Sequence, residues 1–387
     1  MKHPTDLIHH PYVPPAGFAA PQVGVHKAST VIFPSVAALR ARDWRQKTGY
    51  TYGLHGTPTT FVLEERIATL EGGTHGLLVP SGLAAIANVG IALLAPGDEV
   101  LLPDNVYGPS REFARQELGR WGIGHRLYDP MDTAAFTAML SPATRLVWLE
   151  AAGSVTMEFP DLRGLIAACR ARGITTALDN TWGAGIAFNG FELGCDVVVQ
   201  ALTKYPSGGG DVLMGSIVTR EQALHEKIKL TLMRLGIGVA GNDVEAVLRS
   251  LPTLGLRYRA ADAAARELAA WLAARPEVSK LLHPAFEGSP GHANWRSVTS
   301  EAAGLFSVMF DPRYAAGQVD AFVDALRLFR IGYSWAGPMS LAVPYDLAAM
   351  RAPKPAPYPG TLVRLSIGLE AVDDLKADLE QAMGALR

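Results

Sequence analysis

Short apolar runs recur along the first two-thirds of the chain, each closed by turn residues and separated by stretches of helical period. The β-branched run 197–199, between Asp196 and Gln200, predicts a buried strand leading through Thr203 and Lys204 into a Gly-rich turn. Runs at 76–79, 99–102, 145–150 and 174–178 predict further strands. Between them, 61–71 is amphipathic through Val62, Leu63, Ile67 and Leu70, Pro80-Ser81-Gly82 opens another helix, and 111–118 is helical. Strands alternating with helices at this spacing predict an α/β domain with a mostly parallel sheet wrapped on both faces.

The pattern then changes. Residues 214–241 predict helical stretches bridging two lobes, with a boundary near Gly241 beyond which 242–254 stays in helical register. An Ala-rich amphipathic helix at 260–274, strands at 278–282, 305–310 and 362–367, and helices at 320–328 and 372–385 predict a smaller α+β lobe. Residues 1–48 are proline-rich and aperiodic, so they cannot build a core and are expected to form an arm. The expected organisation is an arm at 1–48, a large domain at 49–241 and a small domain at 242–387.

Bulk properties narrow the function class. A chain of 387 residues, 49% hydrophobic with formal charge -2, lacks the basic excess that nucleic acid or anionic membrane would require. The longest apolar stretch, 83–95, is interrupted by Asn88 and is too short for a bilayer. No apolar run follows the first residues, and Cys169 and Cys195 form neither a disulfide framework nor a metal spacing, so a cytoplasmic protein is expected. The pair His9-His10 lacks a third ligand at a useful spacing, and no metal site is expected.

The chemistry lies at two strand ends. A lysine leaving a buried strand is desolvated toward the range where its neutral amine is a nucleophile and can form a Schiff base with an aldehyde cofactor. Lys204 has that position, and the strand before it ends in Asp179. A pyridoxal 5'-phosphate (PLP) enzyme requires this pair, the amine for the aldehyde carbon and the carboxylate to keep the pyridine nitrogen protonated. Each residue alone has a plainer reading, as a solvated loop lysine and a helix N-cap.

Asp179-Asn-Thr-Trp, followed by Gln200-Ala-Leu-Thr-Lys204-Tyr, resembles the Cys/Met-metabolism (trans-sulfuration) family of PLP enzymes, most closely its cystathionine β-lyase branch. The resemblance runs from about Gly49 to Ala385. It implies the aspartate-aminotransferase-like type I fold, with a seven-stranded sheet in the large domain. It also implies a homo-oligomer, a dimer of dimers, whose active sites are shared across subunits. In register with the family, Gly82 and Leu83 cradle the cofactor phosphate at a helix N-terminus, Thr203 adds a hydroxyl, and Tyr107 stacks on the ring. Tyr52 reaches a neighbouring subunit's phosphate, and Arg364 with Ser334 and Trp335 meets the substrate. Read directly, Arg364 is a guanidinium inside an apolar strand and must find a carboxylate.

Several positions depart from the pattern. Leu54 stands where the family carries a phosphate-binding arginine, Ala151 and Ala152 replace its Ser-Pro, and Ala336 with Pro338-Met339 alters a pocket loop. Glu150-Ala-Ala-Gly-Ser154-Val-Thr-Met-Glu158 and Tyr333-Ser334-Trp335 nevertheless resemble the β-acting branch. The expected reaction is β-elimination from cystathionine or a related cysteine S-conjugate, with Lys204 moving the proton and Tyr107 or Tyr52 assisting. Other PLP reactions on the same scaffold, γ-elimination, γ-replacement or racemisation, are the nearest rivals. A nicotinamide oxidoreductase is disfavoured because no Gly-x-Gly-x-x-Gly opens the first strand-turn-helix, and a cofactor-free binding protein is kept open by Leu54.

Overall fold

The computed structural model describes residues 3–45, 47, 49–351 and 357–386. Its larger sheet contains β1 (His75–Val79), β2 (Glu99–Pro103), β3 (Gly124–Tyr128), β4 (Thr144–Glu150), β5 (Thr175–Asp179), β6 (Val197–Ala201) and β7 (Gly215–Thr219). They lie in the order β1-β7-β6-β5-β4-β2-β3. The β2–β3, β2–β4, β4–β5 and β5–β6 pairings are parallel, whereas β7 runs against both β6 and β1.

The fold differs from the sequence pattern in instructive places. Residues 215–219, expected to be helical, form β7, an interior strand between β1 and β6. All five are buried, so the run lacks the period-2 alternation that marks a half-exposed strand. Strand β3 was not legible either, because this edge strand carries His125 and Arg126. The helix Pro58–Glu71 begins earlier than its apolar stripe suggests. There the Thr57 hydroxyl accepts the Thr60 N–H at 3.3 Å, and the Thr60 hydroxyl accepts the Thr57 N–H at 2.7 Å, a reciprocal cap with proline in the first turn.

A second sheet contains β8 (Val278–Leu282), β9 (Leu305–Phe310), β10 (Arg330–Ile331), β11 (Leu341–Tyr345) and β12 (Leu362–Ser366), in the order β10-β11-β12-β9-β8. Alternation decides which way it faces. Phe306, Val308, Val363 and Leu365 enter a core closed by the helices Leu254–Ala273 and Val372–Ala382. Leu305, Met309 and Leu362 join the core shared with the large sheet. Arg364, between Val363 and Leu365, therefore faces the large lobe. The helix expected at 320–328 spans Ala316–Asp324 instead. The Asp378 carboxylate accepts the N–H groups of Arg327 at 2.8 Å, Leu328 at 2.8 Å and Phe329 at 3.2 Å, drawing the chain out of helical register.

Candidate active site

Strands β4, β5 and β6 end side by side, with Glu150 opposite Asp179 and Asp179 opposite Val199. A cavity of about 720 Å³ lies beyond these ends, lined by Glu150, Asp179 and Lys204 from the large lobe and by Ser334, Trp335 and Arg364 from the small one. Past β6 the chain folds into tight turns, in which the Lys204 N–H reaches the Ala201 carbonyl at 3.0 Å. The Lys204 Nζ donates to Ser334 Oγ at 2.7 Å and lies 5.4 Å from the Trp335 ring centre. Burial, followed by the Arg364 guanidinium, pulls this amine down to about 8 from 10.5, against a weaker upward pull from Asp179. The amine therefore gives up its proton closer to neutral pH than an ordinary lysine does.

Asp179 accepts from the Thr181 N–H at 3.0 Å and from its hydroxyl at 2.5 Å. Burial raises its carboxyl, while the Thr181 bonds and Lys204 oppose the rise. Glu150 is pushed up to about 8 by burial and by the charge of Asp179, although it accepts the Tyr107 N–H at 2.9 Å. Two carboxyls in register inside one closed site share a single charge most cheaply, and we assign it to Asp179 because its hydrogen bonds favour the anion.

A third buried acid lies behind these. Glu71 is fully buried, and it accepts from Asn180 Nδ2 at 2.8 Å and Gln200 Nε2 at 2.5 Å. Burial lifts it to about 8. The amide oxygens of both Asn180 and Gln200 are buried without partners, so a protonated Glu71 offers the donor that one of them lacks once that amide turns over. Neither Glu71 nor Glu150 was singled out from the sequence as part of the site. The available signal for Glu150 was an apolar strand ending in a carboxylate, the same signal that marked Asp179.

The anion-binding corner is the start of the helix Gly82–Leu93. Ser81 caps it by accepting the Ala84 N–H at 3.0 Å, and Ser81, Gly82 and Leu83 line the cavity. A Cβ on Gly82 would lie 2.7 Å from the Ala201 Cβ, so glycine lets the helix start close on the end of β6. Thr203 also lines the cavity, yet its hydroxyl donates to the Met214 carbonyl at 3.2 Å and accepts the Met214 N–H at 3.1 Å. In this rotamer its proton is already used. Tyr107 lines the cavity and is 43% exposed.

Arg364 meets no carboxylate among the described residues. One terminal nitrogen donates to the Tyr333 carbonyl at 2.5 Å, and the guanidinium lies 5.3 Å from the Tyr345 ring centre. Its Nε is buried without a partner, a costly state unless a ligand carboxylate completes it. The short helix Leu347–Arg351 covers one side of the cavity with Met350. Arg351 fixes it by pairing with Asp104 and with Glu158 at 2.8 Å, and Glu158 also accepts from Asn105 at 2.6 Å. Both carboxylates lie on loops bordering the site.

Tyr52 lies outside this cavity. It is 45% exposed and lines a separate hollow of about 470 Å³ with Leu54, His55 and Gly236. The sequence-derived residues Gly82, Leu83, Tyr107, Asp179, Thr203, Lys204, Ser334, Trp335 and Arg364 therefore meet around one cavity, and Tyr52 does not join them within one chain. Among the described residues no group of three or more metal-ligating side chains gathers, and no helix is long and apolar enough to cross a membrane.

Residues 4–384 match the family model described as Cys/Met metabolism PLP-dependent enzyme. The chain is 40% identical over 372 residues to a putative cystathionine beta-lyase of Rhizobium johnstonii, covering 95% of this chain and 92% of the relative. It is 35% identical over 388 residues to L-methionine gamma-lyase of Pseudomonas putida, covering 98% and 97% of the two chains. The crystal structure of metB from Corynebacterium glutamicum superposes with a TM-score of 0.91 at 27% identity, covering 100% of this chain and 99% of that one. The cavity suits the cofactor these names imply: a desolvated amine, a carboxylate at the neighbouring strand end, a helix N-terminus lined by small residues, and an arginine lacking its anion. By its sequence and by this site the chain belongs to the Cys/Met metabolism family of PLP-dependent enzymes.

Proposed function

We propose that the chain is a PLP-dependent carbon-sulfur β-lyase acting on cystathionine or a related cysteine S-conjugate and yielding a thiol, pyruvate and ammonia. The observation that carries this reading is Lys204 and Asp179 on neighbouring strand ends facing one cavity with the unsatisfied Arg364. When bound, PLP supplies an aldehyde for amine exchange and a conjugated ring that accepts electron density from the substrate Cα.

The side chains supply the rest. Asp179 would hold a proton on the pyridine nitrogen, and the N–H groups of Gly82 and Leu83 would receive the phosphate. Tyr107 covers the ring. Arg364 grips the substrate α-carboxylate, with Ser334 on the same wall to join it, which fixes the orientation of the Cα–H bond. Lys204 takes the Cα proton and delivers one to the departing sulfur; its lowered proton affinity suits both steps. Thr203 is assigned to cofactor binding through its place at the cavity wall. The small Trp335 loop belongs to the substrate side.

The competent assembly in this reading is a homo-oligomer, a dimer of dimers, located in the cytoplasm. An exposed Tyr52 outside its own chain's cavity supports the need for a second copy, whose site it completes. The expected domain division is 49–241 and 242–387 with an arm before them, supported by the two separate sheets. The substitution Lys204→Ala is expected to abolish pyruvate formation from cystathionine and to remove the borohydride-reducible adduct at that position. Pyruvate formation that survives it removes Lys204 from the role. α-Ketobutyrate in place of pyruvate marks γ-elimination, the reaction named for the Pseudomonas putida relative.

A further inference from the structure

The parallel ladder between β5 and β6 ends at Asp179 opposite Val199. Beyond that point β5 runs into a turn and β6 into the segment carrying Lys204, so other bonds must keep their ends together. On the cavity side the Thr181 hydroxyl accepts the Ala201 N–H at 2.9 Å and donates to Asp179. Behind the wall Glu71 supplies a second tie. One of its oxygens accepts Asn180 Nδ2 at 2.8 Å and the other accepts Gln200 Nε2 at 2.5 Å.

Each tied residue sits next to one that the site uses. Asn180 follows Asp179 in the chain. Gln200 precedes Ala201, whose carbonyl accepts the Lys204 N–H at 3.0 Å and whose Cβ faces Gly82. Glu71, Asn180 and Gln200 are fully buried, and none of the three lines the cavity. A carboxyl shut away from water is costly unless hydrogen bonds offset the cost. Joining two strand ends is a task that an apolar side chain cannot perform.

The same bonds show how the tie is made. Asn180 Nδ2 also donates to the Phe188 carbonyl at 3.2 Å, which sets the direction of that amide. The Gln200 oxygen is buried without a partner, so the Gln200 amide is the one that turns over to take a proton from Glu71. The tie then carries no charge to compete with Asp179.

We propose that Glu71 is a positioning residue for PLP: by joining Asn180 to Gln200 behind the wall, it holds Asp179 and Lys204 at the spacing that one bound cofactor bridges. The inference rests on the roles given above to Asp179 and Lys204. A site ordered before its ligand arrives keeps binding energy that would otherwise be spent on ordering it. Cutting the tie therefore weakens PLP binding although Glu71 lies outside the cavity wall.

The test is PLP affinity of the stripped protein, by fluorescence titration well below the melting temperature of each variant. One lost hydrogen bond corresponds to about fivefold in affinity. Gln200→Met cuts the β6 arm alone and is expected to weaken PLP about fivefold, whereas Glu71→Leu cuts both arms and is expected to weaken it about 25-fold. Glu71→Gln keeps an acceptor for Asn180 and a donor for Gln200 without ionising, and is expected to stay within about threefold of the parent. Gln200→Met within about threefold of the parent overturns the inference, even where Glu71→Leu does not fold, because a purely structural bond lowers stability and leaves PLP affinity unchanged. A larger loss in Glu71→Gln overturns it too, since the acid rather than the tie would then matter. A borohydride-reducible adduct that survives Lys204→Ala overturns the role of Lys204, and this inference falls with it. Loss of that adduct together with unchanged affinity in Gln200→Met overturns the tie alone.

Discussion

Replacing Arg364 separates two effects that the structure assigns to one side chain. The first is binding. The guanidinium has a buried Nε without a partner, and among the described residues it donates to the Tyr333 carbonyl. A substrate carboxylate accepting two charge-assisted bonds there gains about 1.5–3 kcal/mol from each. The substitution Arg364→Lys keeps the charge but loses the fork, so kcat/KM is expected to fall about 10- to 150-fold, mostly through KM because ground state and transition state share the contact. With Arg364→Met both bonds are lost, and the fall is about 10²- to 10⁴-fold. The second effect is electrostatic. After burial, the Arg364 charge is the next largest influence holding Lys204 down near 8. Removing it in Arg364→Met raises the proton affinity of that amine, whereas Arg364→Lys leaves the charge nearby. Steady-state kinetics with an S-alkyl cysteine, and the pH dependence of PLP capture by the stripped protein, read the two effects separately. Capture by Arg364→Met should shift to higher pH. Variants within threefold of the parent in kcat/KM, or a downward shift of the capture profile, refute the reasoning.

Other perturbations follow from the surrounding groups. Buried Glu71 holds its proton up to about 8 while the unfolded chain releases it near 4.5, so the folded state binds more protons across that window and parent stability falls as pH rises through it. The advantage of Glu71→Gln in melting temperature should therefore grow from pH 5 to pH 8, and a difference independent of pH would sink the assignment. Arg351→Met removes the cation paired with buried Asp104 and Glu158, which costs about 3–5 kcal/mol in urea unfolding, and a loss under about 1 kcal/mol contradicts the clasp. For Gly82→Ala, the added Cβ 2.7 Å from the Ala201 Cβ pushes the helix start off β6. Overpacking of this kind weakens PLP retention about 5- to 100-fold in fluorescence titration, and unchanged retention argues against the close approach.

Much of the molecule was legible in one dimension because its chemistry is tied to strand ends. Asp179 closes an apolar run and Lys204 lies in the turn just past the next one, and once parallel strands lie side by side, residues at the ends of neighbouring runs are brought together. The apolar runs around 197–199 and 305–310 mark strands because their length and composition suit a sheet interior. Gly82 followed the same logic, as a small residue where a strand turns into a helix.

Other features needed the third dimension. The wholly buried β7 carries no period, and its place between β1 and β6 is set by pairing with strands distant in sequence. The end of the helix Ala316–Asp324 depends on Asp378, which from far along the chain accepts the N–H groups of the residues that follow it. Sequence pointed to Arg364 as an arginine in need of an anion, but the absence of an internal carboxylate among the described residues became visible only in the folded chain. Burial, with the charge of Asp179 adding to it, raises the carboxyls of Glu71 and Glu150 to about 8. A sequence determines which groups are present and which local periods they obey; proton affinities and empty valences arise from neighbours brought together across the fold, because solvent exclusion and through-space charge depend on distance alone.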